Sequence, residues 1–534
     1  MKKFFKIVLI IFCCLVLIIA SAIVWLNTAP GMNFVRGKAE AFLRNKLHTE
    51  VTIGHLGYGL PKYIRLENVL FRDQARDTLL SVGKLQIDLD MLALLHKHVN
   101  VQEILLENAT GNISRKMHDT DFNFSYIIHA FAGAPDTTTK KASKSSSPFT
   151  IAVEQVKLNQ IRFTFADAAG GNHLAVGLEH LDLRMKTLDL DSMLFHVKSI
   201  TLTGVQTTYQ KDSSYLPVSH DTSSSKPSLR LIADKVSLQT IAVHYNDNLN
   251  KLLFNLGLGT LETGVKMFDL GSGTVAVTQF NLDNTNVDLT IGKFTKPPAI
   301  IDSIVKIDST MGWTVTTTGM HLGNLNFSMD NENSAPTKAG LDYAHLHAKD
   351  LNLDAKNVRY TGDTIMGNIM HLAVKEHNGL VVEELKTDFF YDMKGVVLKS
   401  LLLQTPRTTL HDYAEVRYAS LNDLKLHPGA MQIKLNFKNS TLAIPDLLQF
   451  APFLIEQDFI RAYKNDNLKI DAAISGRLDG LNIAKLNLAG FDNTLVMLSG
   501  KFNGLPDPKK INYDLNIGTL QSSAKMLALF VPSK

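Results

Sequence analysis

The chain has almost no cysteine. Its two residues of that type, Cys13 and Cys14, are adjacent and lie within an apolar run, so no disulfide and no catalytic thiol is available to anything that follows. Ile11 and Phe12 before them lack the small side chains of a lipoprotein cleavage box, which leaves both cysteines as apolar filler. An excess of one charge is missing too. The 55 Lys and Arg face 51 Asp and Glu, and three of the basic residues, Lys2, Lys3 and Lys6, belong to the N-terminal flank. No basic field remains of the kind that binds nucleic acid.

Catalytic signatures are equally scarce. There is no G-x-S-x-G, no P-loop and no H-E-x-x-H, and the pairs His96/His98 and His345/His347 have no partners at ligand spacing. Gly257-x-Gly259 and Gly271-x-Gly273 lack the third glycine and following helix of a dinucleotide fingerprint, while Gly170-Gly171 fits a hairpin turn. Asp88 and Asp90 alternate with Leu89, so their shared side reflects solvation of one strand face. The expectation is a non-enzymatic protein with no cofactor and no metal.

Long apolar runs number one. Ile7 to Leu26 is interrupted only by Ser21, and at 1.5 Å per residue it measures roughly 30 Å as a helix, enough to span a bilayer. Lys2, Lys3 and Lys6 predict a cytoplasmic N-terminus and export of everything beyond the span, placing the bulk of the protein in the periplasm. Cleavage at Ala20-Ser21-Ala22 is the competing reading, but the apolar region is longer than the ~7–15 residues of a signal peptide.

What is present is alternation. After Pro30-Gly31, residues 30–47 predict a short amphipathic helix, with Val35, Ala39, Phe42, Leu43 and Leu47 on one side and Arg36, Lys38, Glu40 and Arg44 on the other. It suits either a membrane face or a cap over the first strands. From residue 50 the period becomes two, as in Leu85-Gln86-Ile87-Asp88-Leu89-Asp90 and Gln432-Ile433-Lys434-Leu435-Asn436-Phe437. Such alternation predicts antiparallel strands with one covered face. A region over 50–136 precedes a Ser/Lys-rich linker at 137–148. A repetitive region then runs over 149–534, with a polar loop at 211–228 and a helical insertion at 444–463 that opens on Pro445. Short helices are also expected over Asp88–Leu95 and Phe122–Phe131.

A loose repeat recurs: Ile64-x-Leu66-x-x-Val69-x-Phe71, Val156-x-Leu158-x-x-Ile161-x-Phe163, Val236-x-Leu238-x-x-Ile241-x-Val243, Val275-x-Val277-x-x-Phe280-x-Leu282 and Leu481-x-Ile483-x-x-Leu486-x-Leu488. The step of three would turn the second half of a straight strand outward. A bulge or corner is therefore expected within each step.

Leu60-Pro61-Lys62-Tyr63-Ile64-Arg65-Leu66-Glu67-Asn68-Val69, then Asp77-Thr78-Leu79-Leu80, Leu94-Leu95 and Asp121-Phe122-Asn123-Phe124-Ser125-Tyr126, resemble in their order the N-terminal region of TamB/AsmA-like envelope proteins of Gram-negative bacteria. Gly476-Arg477-Leu478-Asp479-Gly480-Leu481 and Gly500-Lys501-Phe502-Asn503-Gly504 look like that family's repeats. The resemblance implies an inner-membrane anchor and a long periplasmic β-groove, similar to chorein-type bridge proteins that conduct lipids. It further implies roles in phospholipid movement and in assembly of outer-membrane or secreted proteins. The long members carry a C-terminal domain that is expected to engage an outer-membrane assembly partner. This sequence stops at Lys534 without it, so a fragment or a short AsmA-like relative is expected.

The fold expected is mainly β: a transmembrane helix, then a curled antiparallel sheet whose trough is lined by Leu85, Ile87, Leu89, Ile151, Val153, Leu252, Phe254, Leu256, Val287, Leu289, Ile291, Ile433, Leu435 and Phe437. Phospholipid acyl chains would be its ligands. A closed dry sandwich, and a scaffold whose free sheet edge binds a partner strand, are the two alternatives.

Overall fold

A computed structural model describes residues 24–59, 63–90, 98–131, 150–189, 192–215, 228–294, 312–420, 423 and 426–528. Most of the apolar run Ile7–Leu26, the linker 137–148 and much of the polar loop 211–228 lie outside these residues. Among the described residues no helix is long and apolar enough to cross a membrane.

The chain divides into two compact units, Met1–Asn250 and Lys251–Lys534. The first contains α1 (Ala29–Leu47), β1 (Val51–Gly59), β2 (Tyr63–Arg72), β3 (Thr78–Leu89), β4 (His98–Arg115), α2 (Ser125–Phe131), β5 (Thr150–Asp167), β6 (Asn172–Asp189), β7 (Leu194–Lys211) and β8 (Arg230–Asp247). The second opens with β9 (Leu252–Asp269), β10 (Thr274–Ile291), β11 (Thr314–Asn331), β12 (His345–Thr361), β13 (Thr364–Glu376) and β14 (Val381–Val382). It continues with β15 (Glu384–Asp392), β16 (Gly395–Gln404), β17 (Thr409–Arg417), β18 (Gln432–Ala443), α3 (Ile444–Phe450) and α4 (Asp458–Ala462). It closes with β19 (Asn467–Arg477), β20 (Gly480–Gly490), β21 (Thr494–Asn503), β22 (Asn512–Gln521) and α5 (Ala524–Ala528). Within each unit strands pair mainly with their sequence neighbours, as in β1–β2–β3–β4 and β15–β16–β17–β18. Such nearest-neighbour order keeps most connections short.

Among the described residues most pairings are antiparallel, as expected, but three are parallel: β4–β5, β7–β8 and β10–β11. Parallel neighbours need a connection that returns along the full strand. The three connections are residues 116–149, 212–229 and 292–313. The polar linker and loop noted in the sequence fall, by position, within the first two of these connections. Alternation did not exclude parallel pairing, because these strands still present one face to water and have no need of apolar residues on both.

Three helical expectations meet the structure with different bounds. Asp88 and Leu89 continue β3, and 91–97 lie outside the described residues. The second helix begins at Ser125 rather than Phe122. The insertion after β18 is broken: α3, with Pro445 in its first turn, is followed by a 3-10 turn at Pro452–Glu456 and then α4. In the first unit, α1 is started by Thr28, whose hydroxyl accepts the Gly31 N–H, and stopped by His48 in the left-handed conformation.

The faces of α1 also differ from the sequence reading. Gly31 and Leu47 are buried, and Ala39 packs on Ile53, Val69, Val82 and Ala109. Arg36, Glu40 and Arg44 turn toward the free edge of β1. There Arg36 donates to the Gly54 carbonyl at 2.7 Å, Arg44 Nε donates to the Val51 carbonyl at 2.6 Å, and the Ile53 N–H donates to Glu40 at 2.7 Å. An edge strand carries unpaired backbone groups that invite another strand. The helix satisfies them here, so its charged side is an inner side and Phe42 faces out.

The expected parity corrections are present in ten strands. A residue with φ between 47° and 65° occupies the second position of the polar pair at Asn68, Asn108, Gln160, Gly204, Thr240, Asn284, Asn324, Asn357, Ser400 and Asn439. One extra residue returns the strand to its original face and bends it. Across the parallel pairs these residues are level, since Glu107 and Ala109 are opposite Asn159 and Ile161, and Asp283 and Thr285 are opposite Gly323 and Leu325. Glycine sits against the bend on antiparallel neighbours: a Cβ on Gly83 would lie 2.9 Å from Asn108 Cβ, and one on Gly259 would lie 2.7 Å from the Asn284 carbonyl. In the remaining two repeats, at Val277–Phe280 and Ile483–Leu486, the register shifts without a left-handed residue.

Asn108 is exposed, so its backbone conformation is the main thing a substitution there changes. Asn108→Val is expected to destabilise the chain by ~1–2 kcal/mol and Asn108→Gly to be neutral within ~0.5 kcal/mol, by denaturant unfolding. Equal losses for both would place the cost in the side chain.

Candidate functional site

Each parity correction keeps the same strand face apolar, and the pairing aligns these residues into rows across the strands. In the first unit one row is leucine throughout: Leu56, Leu66, Leu85, Leu106, Leu158, Leu181, Leu202 and Leu238 on β1 to β8. Beside it run Ile64, Ile87, Ile104, Val156, Leu183, Ile200 and Val236. The second unit repeats the arrangement with Leu261, Leu282, Leu322, Leu353 and Leu372 on β9 to β13.

The opposite face is polar and bonded across strands. Lys157 pairs with Glu103 at 2.7 Å and Lys84 with Glu107 at 3.1 Å; in the second unit Asn326 donates to Asn286 at 2.8 Å and Asn324 to Asn284 at 2.9 Å. Of the histidines considered as ligands, His345 and His347 pair with carboxylates, while the side chains of His96 and His98 lie outside the described residues. His347 meets Asp330 at 2.9 Å, His345 meets Asp342 at 3.1 Å, and His321 bonds Asp354 at 2.7 Å, an interaction that raises its pKa. Among the described residues no group of His, Cys, Asp and Glu could hold a metal ion.

The apolar face is not a dry core. From Leu66 to Leu238 every leucine of the first row is half-buried, and Ile64 and Leu80 on the same face are each 37% exposed. Fully buried apolar clusters occur only locally among the described residues. One is Ile53, Val69, Val82 and Ala109 beneath α1; the other is Ile444, Ile460, Tyr463, Phe491 and Met526 around α3 and α4. A second sheet packed over these rows would bury them throughout.

The residues picked from sequence lie on this face. Leu85 is in the leucine row, Ile87 is opposite Ile64 and Ile104, and Leu89 and Val153 both neighbour Val101. Phe254 is opposite Leu289, Leu256 opposite Val287 and Leu252 opposite Ile291; Leu435 is opposite Ala414 and Ile474, with Ile433 and Phe437 on its own strand. All of these are half-buried. The side chain of Ile151 lies outside the described residues. Leu158, Leu181, Leu202 and Leu238 were not picked. Leu158 and Leu238 hold the second position of the repeat, and that shared place was the available signal.

Polar segments close the strand ends. In the first unit Phe122 stacks toward Phe165 at 5.6 Å and lies 4.5 Å from the Arg115 guanidinium. Arg115 holds Asp167, its register partner across the parallel β4–β5 pair, by two bonds of 2.8 and 2.6 Å, with both side chains largely buried. A cavity of about 680 Å³ nearby is polar, lined by Lys46, Asp77, Asp119, Asp121 and Tyr126 among others. In the second unit α3 reaches across several strand ends. Leu341 donates to the Gln449 carbonyl at 2.7 Å, Asn378 accepts from Gln449 at 3.4 Å, and the Thr405 and Thr408 hydroxyls donate to Asp446 at 2.6 and 2.5 Å.

In each unit one polar face and one half-exposed apolar face, with no metal-holding group among the described residues, define a β-scaffold that offers an extended apolar surface. The chain belongs to the AsmA family, whose profile matches residues 1–364. Members are non-enzymatic cell-envelope proteins, and membership implies envelope biogenesis through a lipid-transfer type of β-groove. Among individually curated proteins none matches this chain.

The Arg115 bond holds the Asp167 carboxyl below its ordinary pKa, with further help from the Gly170 N–H. A depressed folded pKa contributes stability above the unfolded value of ~3.9 that is lost as pH falls through the folded one. Acid unfolding of the wild type is therefore expected to steepen below pH ~4, and Asp167→Asn to remove that part of the slope while costing ~3 kcal/mol at neutral pH. An unchanged slope below pH ~4 in the variant would show that another group carries it.

Proposed function

We propose that the apolar face is a groove that conducts phospholipid acyl chains, in a protein anchored to the inner membrane by Ile7–Leu26 with its bulk in the periplasm. The observation that carries this reading is the unroofed leucine row. Adjacent strands are ~4.8 Å apart, so eight rungs extend about 34 Å, longer than a pocket for one small ligand requires. A methylene gains about 0.8 kcal/mol on burial, and rungs of one residue type keep that gain nearly constant from strand to strand. A chain held equally well at each rung slides without a trap. Headgroups stay at the open side, in water.

The family supports the same reading, since membership implies a lipid-transfer type of β-groove. Support of outer-membrane or secreted protein assembly would then follow from lipid supply to the outer membrane.

A second reading rests on β22. Its pairing among the described residues is with β21, and Tyr513, Ile517 and Leu520 on it are 67%, 53% and 56% exposed. That edge could accept a strand of an outer-membrane protein by β-augmentation. The edge of β1, bonded by α1, could not.

Phe254 and Leu289 face each other on β9 and β10, and Leu435 is on the same face of β18. Replacing all three by Asp sets charges against any passing chain, each costing ~2 kcal/mol or more, about thirtyfold in occupancy. Lipid transfer between donor and acceptor vesicles is expected to fall at least tenfold while circular dichroism and membrane insertion stay unchanged. Full transfer by the folded variant would exclude the groove. Native mass spectrometry of the detergent-free protein separates the second reading, which requires bound polypeptide where the first requires bound phospholipid.

A further inference from the structure

The outward side of α1 is apolar and aromatic where water would favour charge. Phe34 and Phe42 are 54% and 59% exposed, and Trp25, 47% exposed, sets its ring 5.8 Å from that of Phe34. Lys38 lies one turn from each phenylalanine, with Nζ 5.6 Å over the Phe34 ring. Gly37 and Ala41 are exposed beside them. The helix has one carboxylate, Glu40, and it is turned the other way to accept the Ile53 N–H. The outward side beside the two phenylalanines therefore carries positive charge alone, from Lys38.

Aromatic rings flanked by lysine, on a helix whose other side is already bonded, are the composition of a helix lying in the headgroup layer of a bilayer. The spacing to the apolar run supports the same position, a step that rests on the anchor proposed above. That run ends at Leu26 and α1 begins at Ala29, so with Ile7–Leu26 as the anchor the helix starts within about 10 Å of the hydrocarbon boundary. A second protein would have to occupy that same layer to cover the patch.

We propose that α1 lies flat in the interfacial layer of a membrane, with Trp25, Phe34 and Phe42 among the upper acyl segments and Lys38 beside an anionic phospholipid headgroup. Because Arg36, Glu40 and Arg44 tie the opposite side to β1, the first strand of the apolar face is thereby held against the bilayer surface. The contact is independent of whether that face conducts lipid.

The test uses the full chain in nanodiscs of phosphatidylcholine with phosphatidylglycerol. Trp25→Phe and Trp313→Phe remove both native tryptophans, and Phe42→Trp then supplies a single reporter at an exposed aromatic position. Lipids brominated near the glycerol end of the chains are expected to remove more than half of its emission, lipids brominated at the chain terminus much less, and aqueous acrylamide little. An indole quenched freely by acrylamide and untouched by either brominated lipid, in a chain that stays in the disc, would overturn the proposal. So would protection from both quenchers accompanied by two copies per disc, which indicates a protein contact. Quenching is expected to be stronger with phosphatidylglycerol than with phosphatidylcholine alone, and Lys38→Gln to abolish that difference. Equal quenching in both compositions before that substitution would remove the anionic headgroup. The three groove substitutions leave α1 untouched, so loss of transfer with normal quenching, or the reverse, tells the two proposals apart.

Discussion

Side chains on a β-strand alternate sides, so a strand of 18 residues keeps its apolar residues together only if nothing shifts its parity or if every shift is undone. Strands of this length also accumulate twist. In ten of the described strands the chain meets both demands with a left-handed residue near the middle of the strand, and across the three parallel pairs these residues are level. The leucine row, the solvated outer ladder and the half-buried state of the apolar face follow from that placement. Without it the second half of each strand would turn its apolar residues to the wrong side.

Because no second sheet covers the apolar rows among the described residues, the ends and edge of each unit need separate protection. Helix α1 bonds the edge of β1 while capping the small cluster beneath it. Phe122 and the Arg115–Asp167 pair finish one end of the parallel β4–β5 junction, and Lys211 and Asp247 are paired in register at the same place in β7–β8. In the second unit α3 does comparable work with backbone bonds and Asp446. The two clusters of buried apolar residues lie beneath α1 and around α3 and α4, and the leucines of the first row from Leu66 to Leu238 stay half-buried.

The parity step was legible in the sequence because a polar pair interrupting Leu66 and Val69, or Leu158 and Ile161, has no other use on a one-sided strand. The apolar face was legible for the same reason: Phe254 and Leu289, picked from separate strands, prove to be direct neighbours. Parallel pairing was not. Its usual mark, apolar residues on both faces, is missing when one face stays in water, and the mark that remained was the length of the connections. Helix α1 was misjudged at Phe42 and Glu40, since a helical stripe drawn by hydropathy assumes that charge faces solvent. Here an unpaired strand edge was the stronger partner for Arg36, Glu40 and Arg44.

Site-specific photocrosslinking in a lipid-supplied membrane tests the central claim most directly, using Leu202 from the leucine row and the adjacent Thr203, whose side chain points to the other face. A photoreactive residue at Leu202 is expected to capture phospholipid and one at Thr203 to capture none. Equal capture at both positions, or capture of polypeptide alone at Leu202, would contradict a lipid-bearing apolar face.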